Sequence, residues 1–190
     1  VISLALIAVL AAAPPVDLKL PPSDDWLEGP DSQPLAKTAK SRLFVSKSNP
    51  GVVLRVLTES TLRLEYSPAV LSELSRRLVE SEKKKPGGTP LKIGEPKSLE
   101  IEGVPVGMLE IDDPERHSTV FYLPSEGGDR VITVLVPSEQ KYDIAPITEW
   151  VKMAKGLRTP DSIGPEVMVG MAAASLSMIG IVLFLIRKKA

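Results

Sequence analysis

Asp112, Asp113, Glu115 and His117 form the densest group of potential metal ligands or acid–base residues in the sequence. Three carboxylates and an imidazole so close together have two chemical uses. Oxygen ligands suit a hard divalent cation, and a carboxylate beside an imidazole can move a proton. The spacing matches no calcium loop, however, and Pro114 in their midst predicts a turn. Asp and Pro serve turns for local backbone reasons. The segment therefore reads first as a solvated hairpin tip. Its rival reading is the site of a hydrolase or metal-dependent enzyme.

The remaining motifs carry less. Ser81-Glu82-Lys83-Lys84 has Ser-x-x-Lys spacing but no companion motif, and no Gly-x-Ser-x-Gly elbow occurs. Gly87-Gly88 and Gly127-Gly128 lack the Lys and hydroxyl that a phosphate cradle places after its glycines. Lys83, Lys84 and Lys85 lie beside Glu80 and Glu82, which partly cancel them and leave a solvated helix end. With no Cys there is no disulfide framework, thiolate metal site or Cys nucleophile, and a single His excludes a multi-histidine site. Lys and Arg number 23 against 24 Asp and Glu, so no electrostatic footprint for nucleic acid exists. No catalytic residue, cofactor or metal is assigned beyond the weak candidates named above.

The elements that must hold these residues are mostly strands. Strands are predicted at 42–46 and 52–57, joined by the turn Asn49-Pro50-Gly51, and at Leu62, Leu64 and Tyr66, which alternate with charged residues. Ser67 as N-cap and Pro68 at the first helical position open a helix whose Leu71, Leu74 and Leu78 share one face. Strands follow at 91–94, at Leu99 and Ile101, at 104–111, at 119–123 and at 130–136. Gly103 lies in one turn and Gly127-Gly128 in a loop. Asp143 caps a second helix over 144–155, which buries Ile147, Val151 and Ala154 and ends at Gly156. Strands with short connections and two amphipathic helices predict an α+β domain, an antiparallel sheet packed with helices on one face or both, over residues 35–158.

The order of elements invites a comparison. The turn Ile101-Glu102-Gly103-Val104-Pro105, the strands Val120-Phe121-Tyr122 and Val131-Ile132-Thr133-Val134, and a closing helix that ends in Leu157-Arg158 are all present. Together they resemble the Mog1/PsbP-like α/β/α sandwich proteins. That resemblance implies a binding or assembly-assisting role rather than an enzyme.

The two ends are apolar. Residues 1–13 contain one polar side chain, Ser3, and match a secretory h-region with a cleavage site after Ala11, although no Lys or Arg precedes the run. Residues 14–34 hold six prolines and read as an extended spacer, with Trp26 docking back onto the domain. Residues 167–186 carry no charge and reach about 30 Å as a helix, the thickness of a bilayer core. This predicted transmembrane anchor begins at Val167 and ends at Phe184, Leu185 and Ile186, followed by Arg187, Lys188 and Lys189 as a basic tail. Gly170 and Ala174, like Ala173 and Ser177, have the small-xxx-small spacing that allows weak helix-mediated self-association. A hydrophobic stretch capped by a basic cluster also resembles bacterial C-terminal sorting signals.

Lys152, Lys155 and Arg158 on one side of the apolar run equal the three basic residues on the other, so orientation rests on the signal peptide. The layout predicts a single-pass protein of the cytoplasmic membrane, with residues 159–166 as linker and the domain on the extracytoplasmic side. Its partners are membrane lipid through the helix and a protein of the cell envelope. The expected function is an interaction or assembly module without catalytic activity. The alternatives are the hydrolase above or a regulatory lid on a membrane sensor.

Overall fold

Period-two alternation sorts the strand residues onto two faces, and both faces are apolar. A sheet of that kind needs cover on each side. The computed structural model describes residues 23–30, 39–59, 66–84, 90–125 and 128–158. They form β1 (Trp26–Gly29), β2 (Ala39–Ser46), β3 (Val53–Glu59), α1 (Pro68–Lys83), β4 (Lys92–Ile93), β5 (Lys97–Ile101), β6 (Val104–Asp112), β7 (Arg116–Leu123), β8 (Asp129–Pro137) and α2 (Ala145–Lys152).

The fold is α+β. One antiparallel sheet runs in the order β1-β2-β3-β8-β7-β6-β4, and β5 also pairs with β6. The last strand, β8, therefore inserts between β3 and β7, at the centre. Helix α1 carries the chain from central β3 to the far edge.

The helices cover opposite faces. On one face Leu71, Leu74 and Leu78 of α1 pack with Leu57, Leu109, Ile111, Val120, Tyr122 and Val131. On the other, Ile147, Trp150 and Val151 of α2 pack with Phe44, Leu54, Val106, Phe121, Ile132 and Val134. Each fully buried aliphatic or aromatic side chain contributes about 1.5–3 kcal/mol, so both layers are needed to hold the sheet.

Local signals account for α1. The Ser67 hydroxyl accepts from the Val70 amide at 3.4 Å, and Pro68 fills a position whose N–H would have no helical partner. On the wet face Arg76 bridges Glu73 and Glu80, and Arg77 also meets Glu73. Hydrogen bonds from Arg76 and then Arg77 hold the Glu73 carboxyl down at about 2.

Three elements differ from expectation. Residues 26–29, inside the proline-rich stretch, form an edge strand. Trp26 is buried against the α2 face, and Asp25 anchors the strand by accepting from the Ser46 hydroxyl at 2.6 Å and the Ser48 amide at 2.9 Å. Helix α2 stops at Lys152, because the chain turns at Met153 to bury Ala154. Asp143 still accepts from the Ala145 amide at 3.0 Å, although the cap position itself is Ile144. Of the strand expected around Leu62 and Leu64, only Tyr66 is described, and it is buried beside α1.

Among the described residues no helix is long and apolar enough to cross a membrane. The signal peptide, most of the spacer, the linker 159–166 and the anchor from Val167 to Ile186 lie outside the described residues. So do Gly170, Ala174, Phe184, Arg187, Lys188 and Lys189.

Candidate functional site

The sheet register places the chemically interesting side chains at two opposite ends. Asp112 pairs with His117, which pairs with Val136, at one end. Ile101 with Val104, Leu123 with Arg130 and Glu59 with Asp129 mark the other. Strand β8 has nine residues, so the two ends stand about 30 Å apart.

At the first end β6 and β7 meet in the turn 113–115. Asp112 is the last residue of β6 rather than part of the turn, and its carboxylate lies 2.6 Å from His117 Nδ1. Both side chains are about half exposed, at 46% and 51%. The hydrogen bond that His117 donates to the Asp112 carboxylate raises the His117 pKa above its ordinary value of 6.5. Asp113 serves the backbone: its Oδ1 accepts from the amides of Glu115 and Arg116 at 2.8 and 2.9 Å. The Glu115 carbonyl accepts from the Ser138 amide at 2.8 Å, which ties the turn to the end of β8. The four predicted residues are thus neighbours in space. Two of them form an imidazole–carboxylate pair, and Asp113 shapes the turn. Among the described residues no group of three or more His, Asp or Glu side chains is placed to hold a metal ion.

The opposite end holds a constellation that no local pattern announces. Asp129 opens β8 and is fully buried. Its Oδ1 accepts from Arg158 Nη1 at 2.9 Å and from the Ser125 amide at 3.3 Å, and its Oδ2 accepts from the Tyr66 hydroxyl at 3.0 Å. Arg158 Nη1 also donates to the Ser125 carbonyl at 3.0 Å, and the Arg158 amide donates to the Pro124 carbonyl at 3.1 Å. The Arg158 and Asp129 side chains are 2% and 0% exposed. Tyr66 stacks on Tyr122 with ring centroids 5.2 Å apart. Burial, reinforced by the Asp129 charge, holds the Tyr66 phenol well above its usual range.

One carboxylate therefore joins all three layers. Tyr66 reaches it from the α1 side, Arg158 from the segment after α2, and Asp129 itself belongs to the sheet. In the sequence Arg158 looks like a solvated flanking charge. Its partners lie 29 and 33 positions away, and Tyr66 lies 63 positions from Asp129, so no short-range spacing reveals them.

Ser81 lies in the last turn of α1, and Lys84 is exposed just beyond it. No protein-family model matches the sequence, and no curated protein matches it.

Proposed function

We propose that the chain is a membrane-anchored interaction or assembly module, with the sandwich on the extracytoplasmic side and no catalytic activity of its own. The observation that carries this is the fixing of Arg158. It is bonded through side chain and main chain to the β7–β8 connection. A rigid root of this kind suits a domain held from its C-terminal side by the apolar run 167–186. Burial of Arg158 also removes it from the flanking charges. Lys152 and Lys155 then stand against Arg187, Lys188 and Lys189, which favours the basic tail on the cytoplasmic side. The likeness of element order to the Mog1/PsbP-like sandwiches points to binding rather than chemistry.

The absence of Cys makes the test simple. His117→Cys in the full chain supplies a unique thiol at the exposed hairpin. The expected result is a protein that stays with membranes through carbonate extraction and is labelled in intact spheroplasts by an impermeant maleimide. Recovery in the soluble fraction, or labelling only after lysis, refutes the proposal.

The exposed Asp112–His117 pair favours a second reading, an envelope hydrolase or metal-dependent enzyme. Alanine at Asp112, Asp113 and His117 separates the two. A binding module keeps its fold and partner, whereas an enzyme that uses this pair loses turnover.

A further inference from the structure

The described residues expose two large apolar side chains, Leu27 at 57% and Met153 at 64%. They occupy opposite ends of the sheet. Leu27 pairs with Val45, in the cross-strand row that continues through Val53 and Leu135, next to the His117–Val136 pair. Met153 lies five positions before Arg158, at the end where the chain is clamped to Pro124 and Ser125.

Geometry forces Met153 outward. Ile147, Trp150, Val151 and Ala154 take the core-facing positions at helical spacing and are all buried. The Met153 and Ala154 amides bond back to the Trp150 and Val151 carbonyls at 3.1 and 3.0 Å, so the turn is fixed. Met153 has no route into the core without pulling one of these residues out.

The length of the linker supplies the occupant. Eight residues, 159–166, separate Arg158 from the apolar run, and eight residues fully extended span at most about 28 Å. The root of that stretch is fixed in place, because Arg158 is bonded through both main chain and side chain. With residues 167–186 in the bilayer, the end bearing Met153 is the nearer one, within about 28 Å of it, and the end bearing Leu27 and His117 is the farther. Exposed lysines flank Met153. Lys152 pairs with Glu149 at 2.6 Å and Lys155 with Glu102, so the patch is locally neutral and has no need of anionic lipid. Long Lys side chains can also lay their stems along an apolar surface while the ammonium stays wet.

We infer that the Met153 end of the sandwich rests on the lipid surface, with the Met153 side chain seated at the headgroup boundary and the Asp112–His117 hairpin turned outward. This rests on the proposal that residues 167–186 span the bilayer. The fixed pose leaves the outward end, rather than the helix-clamped end, for a protein partner.

Single-cysteine variants of the full chain, reconstituted in phosphatidylcholine vesicles, test it. An environment-sensitive fluorophore is placed by Met153→Cys, Leu27→Cys or Ala174→Cys, and quenching by nitroxide-bearing lipid is measured. Apolar groups at an interface sit about 5–10 Å into the headgroup region, so the probe at 153 is expected to quench at least about threefold more than the probe at 27. The probe at 174 is expected to quench most. Equal quenching at 153 and 27, with 174 quenched, overturns the pose and leaves the anchor standing. Absence of quenching at 174 overturns the anchor and the pose with it.

Discussion

Removing one side of the Asp129–Arg158 pair should damage the domain more than any change of similar size at its surface. In Asp129→Asn the side chain keeps its shape, but the buried guanidinium of Arg158 loses the carboxylate charge it meets at 2.9 Å. Removing one partner of a buried ion pair costs about 3–5 kcal/mol. A domain of this size has a total stability of about 5–15 kcal/mol, so a fifth or more is lost. The expected fall in Tm is on the order of 10–20 °C. Arg158→Met should cost a similar amount near neutral pH. Urea unfolding followed by fluorescence of the two buried tryptophans, Trp26 and Trp150, reads both effects. The double variant Asp129→Asn/Arg158→Met should lose less than the sum of the singles by about 2 kcal/mol. Single losses below about 1 kcal/mol, the range of exposed ion pairs, or strict additivity would refute the claim that this pair works as a buried unit.

Three further outcomes follow from local geometry. The raised His117 pKa means that its pairing with Asp112 stabilises the fold fully below pH 6.5 and loses that effect as pH rises through the folded value. Because the pair is half exposed, the change should be under about 1 kcal/mol and should vanish in Asp112→Asn, as pH-dependent unfolding will show. A methyl group on Gly107 would come within 2.7 Å of Leu71 and 3.1 Å of Tyr66 beneath α1, so Gly107→Ala should destabilise by about 1–3 kcal/mol in thermal melts. Glu102 adopts φ 51° beside Gly103 at φ 79° in the β5–β6 hairpin turn. Asn suits that left-handed position better, so Glu102→Asn should raise stability by about 0.5–1 kcal/mol despite the lost contact with the exposed Lys155; unchanged or lower stability counts against this account of the turn.

Much of the architecture was legible because it is encoded locally. Ser67-Pro68 followed by leucines at 71, 74 and 78 sets both the start of α1 and its buried face. The alternation around Val120 and Ile132 marks strands whatever their neighbours are. Strand β1 was hidden by its setting. Proline density around Trp26 argues for a spacer, and the groups that bring the strand into the sheet, Ser46 and Ser48 on Asp25 and Arg42 on Glu28, lie 14 to 23 positions away. The hairpin was legible as a turn, but the division of labour between Asp112 and Asp113 depends on register. A shift of one residue would send either carboxylate to the other face. The Tyr66–Asp129–Arg158 cluster was illegible for a deeper reason. Its members meet only after three separate connections have closed, and a charge near the end of a domain carries no local mark of burial.

The insertion of β8 between β3 and β7 sets the timetable of folding. Pro137 follows Glu59 by 78 positions, yet their two strands are hydrogen-bonded neighbours. Until β8 emerges, the three amino-terminal strands present a naked inner edge. At ribosomal speeds of roughly 5–20 residues per second, that interval lasts on the order of 4–16 s. A chain delivered in vectorial fashion must spend those seconds shielded from strand-to-strand aggregation, so early helpers that mask the β3 edge should matter more to its yield than to its final stability.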